Sequence, residues 1–209
     1  GAGRAVRYRR AEGAPTRFRF ARLGLAEDRV WEALVERVPA LAKLVGEAAS
    51  NFHYAFTEML NNAIDHAGAQ TIDVVIEPGQ DRLAFEIIDD GEGIFEHVRR
   101  RLSLSTPLEA LQEISKGKVT TMPDRHTGEG IFFTSKIADI FQIDSGDMRW
   151  IVDNLQGDIG VGNIPPLRGT RVRFEAGWVP RRTLESLFAE YTDDTAFSTT
   201  CLLYTSPSP

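Results

Sequence analysis

The residue types best suited to chemistry fall in three short stretches. In Asn51–Ala67, projection at about 100° per residue puts Phe52, Ala55, Phe56, Met59, Leu60, Ala63 and Ala67 on one side. Glu58, Asn61, Asn62, Asp65 and His66 fall on the other. A solvated helix face usually carries Lys, Arg and Glu, which are strong helix formers. Asn and Asp are poor ones, so their use here costs helix propensity and asks for a reason. Glu58 and Asn62, four apart, stack one turn above the other and can converge on a hydrated Mg2+ or a phosphate group. The same residues also suit a polar surface near a helix end.

The second stretch is Phe85-Glu-Ile-Ile-Asp-Asp-Gly-Glu-Gly-Ile94. Leu83, Phe85, Ile87 and Asp89 share one face of a strand, so Asp89 is the polar end of a buried stripe and needs partners. It could accept a hydrogen bond from a ligand amino group, with Gly91 and Gly93 letting backbone come close. A tight acidic turn explains the residues too. A calcium loop does not, since the alternating oxygen ligands and the twelfth-position acid are absent. The third stretch, His126-Thr-Gly-Glu-Gly-Ile131, opens a helix, and amides near Gly128–Gly130 form a candidate anion site. It lacks the third glycine of the dinucleotide fingerprint and the Gly-Lys-Ser/Thr of the P-loop.

Elements must position these stretches. Thr16 to Leu23 alternate charged and apolar residues as an edge strand does. Val30, Leu34, Val38, Leu41 and Leu44 space an amphipathic helix over Ala26–Leu44, interrupted by Pro39. A second helix is predicted from about Glu47 to His66, ended by Gly68. Strands are predicted at Thr71–Glu77 and Leu83–Asp89, followed by a charged stretch after Gly93. A short helix spans about Pro107–Ile114, Lys116–Arg125 shows no periodicity, and another helix runs from near Gly130 to about Asp139. Strands at Phe141–Ser145, Trp150–Asn154 and Thr170–Glu175 complete the order. It predicts an α/β (α+β) two-layer sandwich, a mixed sheet with helices on one face.

The chain has 209 residues, 42% hydrophobic and 26% charged. That excludes a disordered, collagen-like or disulfide-stapled chain. Seven arginines against one glutamate over residues 1–22 divide the net charge of −6 into +6 there and −12 on the remainder. The basic arm could meet nucleic acid or an acidic partner; the solvated face of an edge strand accounts for it more simply. No apolar run approaches the roughly 18 residues of a membrane span, and the single cysteine, Cys201, has no internal partner. A reducing, cytoplasmic setting is expected. Gly1-Ala2-Gly3 reads as a fragment boundary, and residues 201–209 as a non-native tail resembling translated adapter sequence. The expected division is a basic arm at 1–22, one domain at 23–180, the start of a following region at 181–200, and the tail.

In this order and spacing, Glu58-x-x-x-Asn62, Asp89-x-Gly91-x-Gly93 and Gly128-x-Gly130 resemble the N-box and the two glycine boxes of the GHKL superfamily of ATP-binding domains, whose fold is the Bergerat type. Gly169-Thr170 looks like the threonine that closes the adenine pocket in that family. The resemblance spans roughly residues 47–176. The stretch Phe56–His66 is most similar to bacterial histidine-kinase-like and anti-sigma-factor-kinase-like proteins, including those that precede a STAS-like domain of unknown function.

The resemblance implies that Asp89 hydrogen-bonds the adenine amine with Thr170 in support through water. It implies that Asn62 binds Mg2+ and that Glu58 positions or deprotonates the attacking water or hydroxyl. Gly128 and Gly130 would present amides to the phosphates, under a lid between about Leu102 and Arg125. Asp65, Ile94, Thr127 and Ile131 lie within or beside the same motifs and belong to the implied binding set. Lys116, Lys118 or Arg125 could reach the γ-phosphate, or form an ordinary solvated charge run. His53, His66 and His126 are conceivable phosphoacceptors, but no separate helix pair bearing an exposed histidine precedes the domain, so autophosphorylation is not expected. His97 reads as surface.

The expected function is ATP-dependent regulation of a partner protein, with the γ-phosphate transferred or hydrolysed. The alternatives are a gyrase- or MutL-like ATPase that dimerises on ATP, and a non-catalytic ATP sensor attached to a DNA-binding or STAS-like module. Phosphate binding in so acidic a body is expected to fall to Mg2+ and backbone amides.

Overall fold

A computed structural model describes residues 14–117 and 129–192. Strand β1 (Thr16–Ala21) leads into α1 (Glu27–Arg37) and a single 3-10 turn at Leu41–Lys43. The break falls where the sequence asks for it, because a residue before proline avoids helical angles and Val38 is extended at φ −117°. Helix α2 (Gly46–Asp65) follows, then β2 (Thr71–Pro78) and β3 (Arg82–Asp89). Three helices come next: α3 (Ile94–Arg101), α4 (Pro107–Ser115) and α5 (Gly130–Ile137). A long hairpin of β4 (Ile140–Asp153) and β5 (Asp158–Gly177) precedes α6 (Leu184–Thr192).

The five strands form one sheet in the order β1-β2-β3-β5-β4, and every neighbouring pair is antiparallel. The expected mixed sheet is therefore corrected to an antiparallel one. The reason is where β5 goes. The helical crossover α3–α5 sets β4 in the same direction as β3, but the returning arm of the hairpin inserts between them and separates the parallel strands.

The inner face carries Ile72, Val74, Ile76, Leu83, Phe85, Ile87, Val172, Phe174, Phe141 and Ile143, all buried. Helix α2 lays its apolar stripe on it, with the Phe52 and Phe56 rings edge-on to Phe85 at 5.2 and 5.5 Å. The opposite face is a lattice of charges. Arg17 and Arg19 both close on Asp73 at 2.6 and 2.7 Å. Arg173 reaches Glu77, Glu86 and Glu175. Arg22 donates to the backbone oxygens of Ala69 and Ile64. The three arginines of the basic arm that fall within the described residues are thus engaged in holding the edge strand.

The predicted strands at 141–145 and 150–154 are one bent strand. Gly146, at φ +62°, sits at the register shift, and the ribbon folds back until the Phe141 and Trp150 rings lie 5.7 Å apart. The charged stretch after Gly93 is helix α3, which buries Phe95 and Val98 and pairs Arg99 with Glu96. The expected lid region begins with α4, a packed helix with Ala110, Leu111 and Ile114 buried. Helix α6 sets Phe188 against Phe133 at 4.7 Å and Tyr191 against Phe132 at 5.0 Å. Among the described residues no helix is long and apolar enough to cross a membrane.

Candidate functional site

One cavity lies between α2, the inner face of the sheet, α3 and the start of α5. Its walls include Glu58 and Asn62, Asp89 at the end of β3, Gly93 and Ile94 at the start of α3, Gly130 and Ile131 of α5, and Thr170 of β5. Four segments far apart in the chain meet there. Each arrives for a local reason: the polar side of α2 is the side left over once Phe52, Phe56 and Leu60 turn inward, and Asp89 continues the inward parity of Leu83, Phe85 and Ile87.

Asp89 is 6% exposed, and its side chain accepts from Gly91 N at 2.9 Å and from Thr170. Burial pushes its carboxyl up to about 6, although the Gly91 and Thr170 hydrogen bonds oppose the rise. Its neighbour Asp90 turns instead to the start of β2. There it accepts from the backbone N–H groups of Gln70 and Thr71 at 2.7 and 3.0 Å, which hold it below the usual carboxylate range. One acid pins the loop before β2; the other is left facing the cavity. Thr170 Oγ1 accepts from Ile94 N at 3.0 Å, tying β5 to the first turn of α3.

The glycines act mainly by close packing. A Cβ on Gly91 would strike the carbonyl oxygen of Ala67, and Gly91 does not line the cavity. Gly93 has φ +89°, with Ser145 Oγ 2.5 Å from where its Cβ would stand. A Cβ on Gly130 would run into the Glu58 carboxylate, so that acid lies directly against the opening turn of α5. An anion seated on those amides would lie beside Glu58.

Asp65 is exposed at the end of α2 and is not in the cavity wall. Thr127, Gly128, Lys118, Arg125 and His126 lie outside the described residues. Lys116 pairs with Glu113 at 2.5 Å. No lysine or arginine lines the cavity among the described residues. Nor does any cluster of three or more His, Cys, Asp or Glu side chains there offer a metal cage. Asn62 and Glu58 instead suit a Mg2+ that keeps most of its ligands from water and phosphate oxygens, the usual habit of that ion.

Sequence reasoning missed part of the wall. His97, expected at the surface, lines the cavity with Val98, and Ile114 closes it from α4. The signal was present in Ile94, His97 and Val98, three and four residues apart on one helical face. The charges of Glu96, Arg99, Arg100 and Arg101 masked it. His66, at the end of α2, faces the same space, its ring 5.9 Å from that of His97. His53 packs edge-on against Trp31 at 4.8 Å.

Residues 21–153 match the family described as the histidine kinase-like ATPase domain. No curated protein matches the chain.

Proposed function

Because the chain belongs to the histidine kinase-like ATPase domain family, a family of ATP-binding domains, we propose that it binds Mg-ATP in the α2–β3–α5 cavity and regulates a partner protein by transferring the γ-phosphate to it. The observation that carries this reading is the meeting of Glu58, Asn62, Asp89, Gly130 and Thr170 in one cavity. In its ionised form Asp89 accepts from the exocyclic amine of adenine, with Thr170 steadying the carboxylate. Ile94 packs beside the base. The amides of Gly130 and Ile131 at the start of α5, with Thr127 and Gly128 before them, receive phosphate oxygens. Asn62 donates an amide oxygen to Mg2+, and the ion, when bound, neutralises phosphate charge and orients the terminal group. Glu58 takes the proton of the attacking hydroxyl as the γ-phosphoryl leaves ADP. Asp65, which is not in the cavity wall, stays in the proposed set only by its place beside the same motif.

A protein acceptor is preferred to nucleic acid because Arg17, Arg19 and Arg22, the arginines of the basic arm among the described residues, are already engaged within the fold. A kinase of the anti-sigma type acting in the cytoplasm fits this arrangement. Incubating the chain with γ-labelled ATP and cell lysate tests it. Label on a protein other than this chain is the expected result. Label found only as free phosphate overturns transfer in favour of hydrolysis, and ATP binding with no release of label favours the sensor.

A further inference from the structure

We propose that two copies of the chain associate through the free edge of β5, pairing antiparallel over Asp158–Arg168 about a two-fold axis at Asn163. None of these residues lines the cavity, and the inference stands apart from the ATP reading.

The first observation is an unpaired length of backbone. Strand β5 pairs with β3 only from Arg171 to Gly177, and Gly169 already lies against the Asp89 carbonyl. From Asp158 to Arg168 it has β4 on one side and, among the described residues, no strand on the other. An open edge of that length is a template for another strand unless it is blunted. Its only charges are Asp158 and Arg168, at its two ends.

The second observation is the side chains beside that edge. Val152 and Trp150 stand opposite Ile159 and Val161, so all four share one side of the ribbon. The β4 pair is buried, at 3% and 4% exposure, whereas Ile159 and Val161 are 67% and 52% exposed. The apolar side of the ribbon is thus covered on one strand and bare on the next, and a strand added at the edge covers it. Gly162 fits the same account. Its φ is not positive and a Cβ there would meet nothing within 4 Å, so the described fold does not require glycine. Close approach of a second backbone explains it.

The segment's own pattern selects a second copy as the occupant. Antiparallel pairing about Asn163 sets Asp158 opposite Arg168 of the second copy, twice by symmetry. Both side chains are exposed, and neither pairs with another charge among the described residues. Within the chain Asp158 stands opposite Asp153 instead, a like-charged pair that a facing arginine offsets. The same register sets Ile159 opposite Leu167, Val161 opposite Pro165 and Gly162 opposite Ile164, so apolar residues meet and the glycine receives the larger side chain. Pro165 and Pro166 are successive residues whose nitrogens point to opposite edges. One of them withdraws a donor from the new ladder, which keeps the association weak.

Sedimentation velocity of the whole chain over roughly 1–300 µM tests the assignment, with a reversible monomer–dimer equilibrium expected on the order of 10–100 µM. Arg168→Asp and Asp158→Arg each bring like charges face to face and are expected to weaken dimerisation several-fold. The double variant Asp158→Arg/Arg168→Asp restores opposite charges and with them the dimer. Val161→Lys is expected to weaken association about tenfold or more. In a Cys201→Ser background, Asn163→Cys is expected to form a disulfide-linked dimer across the two-fold axis, whereas Gln156→Cys, at the turn of the ribbon, is not. A chain that stays monomeric across that range overturns the inference and leaves the edge to a strand of another protein. So does a dimer that Val161→Lys and both single charge variants leave intact, or one that the double variant fails to restore, since another surface then holds it.

Discussion

Asp89 and Asp90 are chemically identical neighbours with opposite roles, and the difference lies in where the strand points them. Asp90 meets two backbone N–H groups and stays ionised. Asp89 is turned inward, and its carboxyl, raised from 3.8 to about 6, gains a proton more readily when folded than when unfolded. The contribution of Asp89 to stability is therefore greatest while it is protonated and is lost as pH rises from its ordinary value through about 6, on the order of 2–3 kcal/mol. Asp89→Asn is expected to raise the melting temperature at neutral pH while weakening ATP binding more than tenfold, since an amide side chain lacks the charged acceptor. Differential scanning calorimetry and nucleotide titration check the two halves separately. In the wild type, affinity for Mg-ATP should fall as pH drops through about 6, where the acceptor is protonated. Glu58 sits against the start of α5, so Glu58→Gln is expected to keep affinity within about twofold and to lower turnover by roughly 10²-fold or more. An unchanged rate of γ-phosphate release removes Glu58 from the chemistry.

The elements that matter most for the site are α2 and α5, and both depend on neighbours outside it. Helix α5 has only eight residues, too short to persist in isolation, so packing holds its first turn in place. Phe133 is 2% exposed and meets Phe132 at 5.3 Å, Phe188 at 4.7 Å and Tyr191 at 6.2 Å. Gly117, at φ +70°, lies so close under the Phe132 ring that a Cβ there would stand 2.7 Å from it. The end of α4, α5 and α6 are thus one packed unit. Phe133→Ala should cost about 3–5 kcal/mol, read as a lower denaturant midpoint. The amphipathic pattern of α2 was legible because its apolar residues recur at helical spacing. That of α3 was not, because it spans only eight residues, little more than two turns, and its three arginines and glutamate read as a charged run even though Phe95 and Val98 are buried on one side.

At the scale of the whole molecule, an acidic chain is asked to hold a polyanion in a cavity that no lysine or arginine lines among the described residues. Arg17, Arg149 and Arg173 of the sheet are engaged with Asp73, Asp144, Glu77 and Glu86. In the proposed binding mode the phosphate charge is met by Mg2+ and by amides at the start of α5. ATP with Mg2+ at about a hundredfold over Kd should stabilise the fold by about 2.7 kcal/mol, a melting shift of roughly 5–10 °C. Chelation of Mg2+ should remove most of that shift; a shift that survives chelation would place the phosphate charge on protein groups instead.

Periodicity alone determined much here. The inward parity of Asp89, the polar side of α2 and the glycine-bounded start of α5 follow from side-chain spacings of two and about 3.6, which are local properties of the backbone. Strand order does not, because it depends on where a returning hairpin finds unpaired backbone, and β5 found it beside β3. Tertiary packing likewise decided that Gly91 serves the Ala67 carbonyl and Gly130 the Glu58 carboxylate. It also turned His97 from an apparent surface residue into part of the cavity wall. Each of those contacts joins segments distant in the chain, and only the assembled layers bring them within reach.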